Sequence, residues 1–160
     1  HPRSSAASDV YKRQLFQLVE KHGKNLHKII QDKAEENRKI FYIYGGVDTE
    51  EREKARAIVE KEDNAIIVAS YGTFSTGINI KNLHNIIFAS PSKSRIRNLQ
   101  SIGRGLRLGD NKVNATLYDI ADDLNYKSKE NYTLKHFQER INIYTEEEFD
   151  YEIHNINLKD

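Results

Sequence analysis

The 160-residue chain contains no cysteine, no methionine and no tryptophan. Without cysteine there can be no disulfide, thiolate metal site or cysteine nucleophile, and the composition fits a reducing compartment. Long apolar runs are also missing. No stretch approaches the ~18 residues of a membrane span, and no basic-then-apolar leader with a cleavage site opens the chain. Methionine is absent even at position 1, which leads us to expect a fragment of a longer protein. At 160 residues the chain is one domain, long enough to bury a core.

An excess of one charge is lacking overall, since the formal net charge is +1. That near neutrality hides an asymmetry. Between residues 81 and 112 stand Lys81, Lys93, Arg95, Arg97, Arg104, Arg107 and Lys112 against the single acid Asp110, a local charge of +6. A neutral chain with one basic block suggests a local anion site rather than general adhesion to polyanions.

Residues 1–14, HPRSSAASDVYKRQ, are Ser/Ala-rich and basic without a strong period, and are expected to be a disordered leader or foreign junction. The domain is expected over 15–160. Leu15 to Val19 forms a short apolar run, and Gly23 punctuates it. Leu26, Ile29 and Ile30 then follow at helical spacing. Lys39 to Tyr44, KIFYIY, reads as a strand broken by Gly45-Gly46. Asp48 and Glu51 predict a capping box for a helix that buries Ala55, Ile58 and Val59. Ala65 to Ala69, AIIVA, has the continuous apolar run of a strand covered on both faces. Strands are also expected at 85–89 and 115–120. Helices are expected at 93–107 and at 131–148, the second with Leu134, Phe137, Ile141 and Tyr144 on one face. Residues 151–160 read as a short edge strand or an extended tail. Strands alternating with helices predict an α/β fold, a parallel sheet with helices on both faces, whose ligands sit at the C-terminal ends of the strands.

Two segments carry chemistry. In QSIGRGLRLG, Gln100, Arg104 and Arg107 step by four and three residues, which on a helix aligns two guanidiniums and an amide on one face. Adjacent arginines repel unless an anion lies between them, and phosphate suits their bidentate geometry. In IIVASYGTFSTGINI, a buried strand runs into a loop bearing Ser70, Thr73, Ser75, Thr76 and Gly77. Taken alone this reads as an ordinary Ser/Gly loop; hydroxyls and glycines there would also let a phosphate approach the backbone. Gly103, Gly105 and Gly109 are spaced G-x-G-x-x-x-G, one residue off the dinucleotide fingerprint and away from a strand end. The six histidines show no metal-ligand spacing. Asp119, Asp122 and Asp123 read as solvated carboxylates at a strand end, with cation binding as the alternative. Glu146 to Glu148 read as a solvated helix face.

Taken together, these segments resemble the superfamily-two helicases. Gln100-x-x-Gly103-Arg104-x-x-Arg107 matches motif VI, Q-x-x-G-R-x-x-R, and Ala69 to Ile80 looks like motif V. Tyr42 to Gly46 resembles the strand and glycine turn after motif IV, and Leu15 to Val19 that motif's own strand. Within the superfamily, YGTFSTGINIKNLHNIIFA followed by QSIGRGLR is most similar to helicases of phage recombination. The resemblance covers about residues 15–160 and implies the second of two RecA-like motor domains, with ATP and Mg²⁺ bound mainly by the first. It implies arginine-finger roles for Arg104 and Arg107, and nucleotide contacts for Gln100, Gly103, Gly77 and Asn79. Ser75, Thr76, Gly45 and Gly46 would face nucleic acid, and charge alone adds Lys93, Arg95 and Arg97. No resident metal site is expected in this chain. The partners implied are branched or single-stranded DNA and a first motor domain in cis, in the cytoplasm of a bacterial or phage-infected cell. No G-x-x-x-x-G-K-[ST] cradle and no acidic box occur in the sequence, so the chain by itself is expected to be inactive as an ATPase. A stand-alone nucleic-acid-binding module is the alternative reading.

Overall fold

A computed structural model describes residues 14–18, 20–62, 64–70, 73, 83–89, 115–123 and 131–158. Their elements are β1 (Gln14–Leu18), α1 (Glu20–Lys33), β2 (Lys39–Ile43), α2 (Thr49–Lys61), β3 (Ala65–Ser70), β4 (Asn85–Phe88), β5 (Thr116–Asp119) and α3 (Tyr132–Glu146). The five strands form one sheet in the order β2-β3-β1-β4-β5. All four pairings are parallel.

This order follows from the handedness of parallel crossovers. The chain moves one way across the sheet from β1 to β2 and back the other way from β2 to β3. Right-handed connections then require α1 and α2 on opposite faces. Leu26 and Ile30 of α1 pack with Ile66 and Val68 on one face. Ala55 and Val59 of α2 and Ile141 and Tyr144 of α3 pack with Ala65, Ile67, Ala69, Ile86 and Phe88 on the other. The β3 side chains alternate between these two cores, and all six of its residues are buried. The unbroken apolar run of β3 is thus the signature of a strand covered twice. Each fully buried Ile, Val or Phe here contributes about 1.5–3 kcal/mol relative to exposure.

Several local expectations need correction. Gly23 does not end anything; it is buried inside α1, where glycine costs about 1 kcal/mol relative to alanine. Ile29 and Ile58 are 51% and 40% exposed, because each stands one position off the stripe formed by Leu26 and Ile30 or by Ala55 and Val59. Asp48 does cap α2, but its carboxylate accepts from the Thr49 N–H at 2.6 Å, and no reciprocal bond from Glu51 completes a box. Residues 151–158 form no strand and lie exposed. The expected helix at 93–107 and residues 1–13 lie outside the described residues.

α3 ends in a Schellman arrangement. The Glu148 N–H donates to the Thr145 carbonyl at 3.2 Å and the Phe149 N–H to that of Tyr144 at 2.9 Å. Glu148 adopts φ 57°, unusual for a residue with a Cβ. The Phe149 and Tyr144 rings meet at 6.5 Å across the stop. Glu146 and Glu148 are exposed as expected of a solvated acidic run, while Glu147 is half-buried.

Candidate nucleotide and nucleic-acid edge

The strand registers bring the C-terminal ends to one level. Ile43 lies opposite Ala69, Leu18 opposite Ser70, Gln17 opposite Phe88, and Phe88 opposite Asp119. Tyr44, Ser70, Leu18, Ala89 and Ile120 therefore occupy one row across the sheet. With about 4.8 Å between strands, Ser70 and Ala89 stand about 10 Å apart on either side of β1. From Ser70 the chain runs into the motif V-like segment, and from Ala89 into the segment with the motif VI-like pattern. The two chemistry-bearing segments thus leave the sheet as near neighbours at one edge. Gln100, Gly103, Arg104, Arg107, Gly77, Asn79, Ser75, Thr76, Lys93, Arg95 and Arg97 themselves lie outside the described residues.

Ser70 and Thr73 are corrected from their expected role. Both are buried, and their hydroxyls bond each other at 2.7 Å. They close the end of β3 instead of presenting two oxygens to a ligand.

Gly45 and Gly46 lie within the described residues, in an exposed turn after β2. The Val47 N–H donates to the Tyr44 carbonyl at 3.0 Å and closes it. Neither glycine has a positive φ, so the turn is open to L-residues. A Cβ on Gly45 would meet nothing within 4 Å. Among the described residues neither backbone conformation nor packing requires glycine at 45. Close approach of something outside the domain would require it. Neither glycine's N–H donates to a described residue, so among the described residues both donors of this exposed turn are unused.

Behind this turn runs a row of rings. His27 stacks on Tyr42 at 5.3 Å and Tyr42 on Tyr44 at 5.0 Å, with interplanar angles of 22° and 27°. Burial lowers the His27 pKa below its usual 6.5. A cleft of 410 Å³ opens along the free edge of β2 between His27 and Gln31 of α1 and Lys54 and Ile58 of α2.

At the opposite edge Asp119 is neither solvated nor a cation ligand. Its side chain is 8% exposed. Arg140 Nε donates to Asp119 Oδ2 at 2.6 Å and Nη2 to Oδ1 at 3.0 Å. The Tyr144 hydroxyl adds a bond to Oδ2 at 2.7 Å. Burial, reinforced by the Asp119 charge, pushes the Tyr144 pKa well above its usual 10.0. Asp122 and Asp123 are exposed, and Asn131 donates to the Asp123 carboxylate at 3.1 Å. Among the described residues no group of three or more His, Asp or Glu is placed to hold a metal ion. No described helix is long and apolar enough to cross a membrane.

Residues 12–109 match the family model of the helicase conserved C-terminal domain. The chain belongs to this family. It is 41% identical over 147 residues to the ATP-dependent DNA helicase uvsW of Enterobacteria phage T4, an alignment that covers 86% of this chain and 29% of that protein. The crystal structure of T4 UvsW superposes with a TM-score of 0.65 at 39% identity, over 86% of this chain and 30% of that one. Domain 2 of the DEAD-box helicase Mss116p, solved with an RNA duplex, superposes with a TM-score of 0.57 at 19% identity over 69% of this chain and 42% of that chain. That last likeness is one of fold. The expected RecA-like α/β architecture and the resemblance to phage recombination helicases are both borne out. The chain spans under a third of the length of the phage helicase it matches.

Tyr44 and Arg140 were missed in the sequence. An aromatic residue directly before Gly-Gly at a strand end was a usable signal for Tyr44. Arg140 gave none, because its partner lies 21 residues away.

Proposed function

We propose that this chain is the second motor domain of an ATP-dependent DNA helicase acting on branched or single-stranded nucleic acid. The observation that carries the reading is the shared edge: the segments bearing the motif V-like and motif VI-like patterns leave β3 and β4 about 10 Å apart, on the row that also holds the Gly45-Gly46 turn. Arg104 and Arg107 act as arginine fingers on charge that develops at the transferred phosphoryl group, a role worth about 10³–10⁵ in rate. Gln100, Gly103, Gly77 and Asn79 line the nucleotide side. Ser75, Thr76, Gly45, Gly46, Lys93, Arg95 and Arg97 meet the nucleic-acid backbone.

The donor chemistry fits a polyphosphate: two guanidiniums and an amide in one motif, within a block of charge +6. ATP supplies the phosphoryl group, and Mg²⁺ neutralises its charge from the first motor domain. This chain contributes cationic stabilisation and backbone donors, and without the phosphate cradle it does not turn over ATP alone. The shared edge favours the motor over a stand-alone nucleic-acid-binding module, because it gathers nucleotide and nucleic-acid patterns together.

In the complete two-domain helicase, Arg107→Ala should lower DNA-stimulated ATP hydrolysis by about 10³-fold or more, with circular dichroism and melting temperature unchanged. Wild-type turnover in that variant contradicts the assignment. Salt-sensitive DNA binding by the chain, with no ATPase once the first domain is supplied, would favour the binding module.

A further inference from the structure

The Gly45-Gly46 turn is held from behind by one side chain. If a Cβ is built on Gly46, its nearest heavy atoms are Cε2, Cδ2 and Cζ of Tyr44, at 2.8, 3.4 and 3.6 Å. The Tyr44 ring therefore rests against the backbone of Gly46, closer than any side chain at 46 would permit. The same ring stacks on Tyr42, which stacks on His27 of α1. The row runs from a helix on one face of the sheet, across the edge strand, to the exposed turn. The Tyr44 carbonyl also accepts the bond that closes the turn.

We infer that Tyr44 is a positioning residue for nucleic-acid engagement: its ring, packed against both Tyr42 and Gly46, fixes the direction of the Gly45 and Gly46 N–H groups. The inference rests on the proposed role of this turn in contacting nucleic acid. Two glycines in an exposed turn are free to rotate their peptide planes. A backbone donor contributes to binding only if it already points at its acceptor, since ordering it on contact costs entropy. The ring supplies that ordering by packing alone, because the Tyr44 hydroxyl bonds to no described residue. The charge near the turn supports a role for neutral donors. Asp48, Glu50 and Glu51 follow within six residues of Gly45 and are exposed. Their charge opposes an approaching phosphate, so binding at this turn depends on how well the N–H groups are aimed.

The two glycines differ in what requires them. Gly46 is required by the ring. Gly45 is required by none of the described residues. Substitutions at the two positions should therefore act through separate routes.

The test uses the complete two-domain helicase with single-stranded oligo-dT and a forked duplex as probes, and reads the half-saturating DNA concentration and kcat of ATP hydrolysis separately. Gly45→Pro removes one donor, and proline suits the second position of a turn that follows a strand. It should raise the half-saturating concentration about tenfold, the value of one hydrogen bond to a charged acceptor. Tyr44→Ala and Gly46→Ala should each raise it by a similar factor, with kcat at saturating DNA within about twofold of wild type. Tyr44→Phe should behave as wild type. The double variant Tyr44→Ala/Gly46→Ala should be no worse than Tyr44→Ala, because the clash at 46 is with the Tyr44 ring. Melting temperatures establish that each variant is folded, and Gly46→Ala tests the idea with the ring still present should Tyr44→Ala unfold. If Gly45→Pro binds normally, the turn does not contact nucleic acid and the inference falls with that reading. If Gly45→Pro weakens binding while Tyr44→Ala and Gly46→Ala do not, or if the double variant is additive, the positioning role of Tyr44 is overturned and the reading of the turn stands.

Discussion

At the β5 edge of the sheet, the strand ends in a carboxylate that accepts two bonds from Arg140 and one from Tyr144, all of it shielded from water. At the β2 edge, the strand runs into two exposed glycines whose N–H groups donate to nothing described. Both are edge strands of one parallel sheet, and their C-terminal ends lie on one level. The difference teaches where the fold keeps its stability and where it leaves surface available. A charged group at the β5 end is tied to α3 and locks that helix onto the sheet. The β2 end is ordered by stacked rings and one turn hydrogen bond, and the Gly45 and Gly46 N–H groups are committed to no described residue.

The largest effect that would break this contrast is at Asp119. Asp119→Ala leaves the Arg140 guanidinium 2% exposed without its counter-charge. The expected loss is about 3–5 kcal/mol in urea or thermal unfolding, the scale for breaking a buried pair. One guanidinium nitrogen, Nη1, already lacks a partner, so little remains to compensate. A loss below about 1 kcal/mol, typical of surface pairs, would mean that the pair is hydrated in solution.

The two edges should also fail at opposite ends of the pH scale. Tyr144 has a raised pKa, from burial first and the Asp119 charge second. The folded protein keeps a proton that the unfolded chain gives up, so this stability is complete below the usual 10.0 and is lost as pH rises beyond it. Tyr144→Phe should flatten that alkaline limb. His27 has a pKa lowered by burial. The unfolded chain takes up its proton first, so this stability is complete above the usual 6.5 and is lost as pH falls below it. His27→Gln should flatten the acid limb alone. Melting temperature against pH for the two variants reads both limbs.

Smaller effects sharpen the contrast. Glu148 holds φ 57° at the stop of α3. Glu148→Gly should stabilise by about 0.5–1 kcal/mol, as the left-handed strain is relieved and part of the gain is returned as chain entropy. Gly45→Ala, with open space around its Cβ, should leave the melting temperature nearly unchanged, within about 0.5 kcal/mol.

The legible parts of the sequence were those set by near neighbours. The run from Ala65 to Ala69 announced a doubly covered strand, and its own residues are buried in alternation on two faces. KIFYIY and NIIF were readable as strands for the same reason, and alternation with helices was enough to give a parallel sheet. Errors arose where a partner was distant in sequence. Asp119 reads as a solvated strand end until Arg140 and Tyr144 fold over it. Ser70 and Thr73 are close in sequence, and their mutual bond agrees with the ordinary-loop reading of that segment over the phosphate one. Ile58 was misjudged because a helical stripe tolerates an apolar residue one step off its axis. For the site, pattern identified Gly45 and Gly46 as a turn, but only packing shows that one glycine serves the ring of Tyr44 and the other serves no neighbour.

The central claim is that this chain is half of a two-domain motor. The most direct test is ATP hydrolysis, with and without single-stranded DNA, by this chain alone, by the first motor domain alone and by the two joined. The account predicts DNA-stimulated turnover only when they are joined. Comparable DNA-stimulated hydrolysis by this chain alone, or by the first domain without it, would contradict the account.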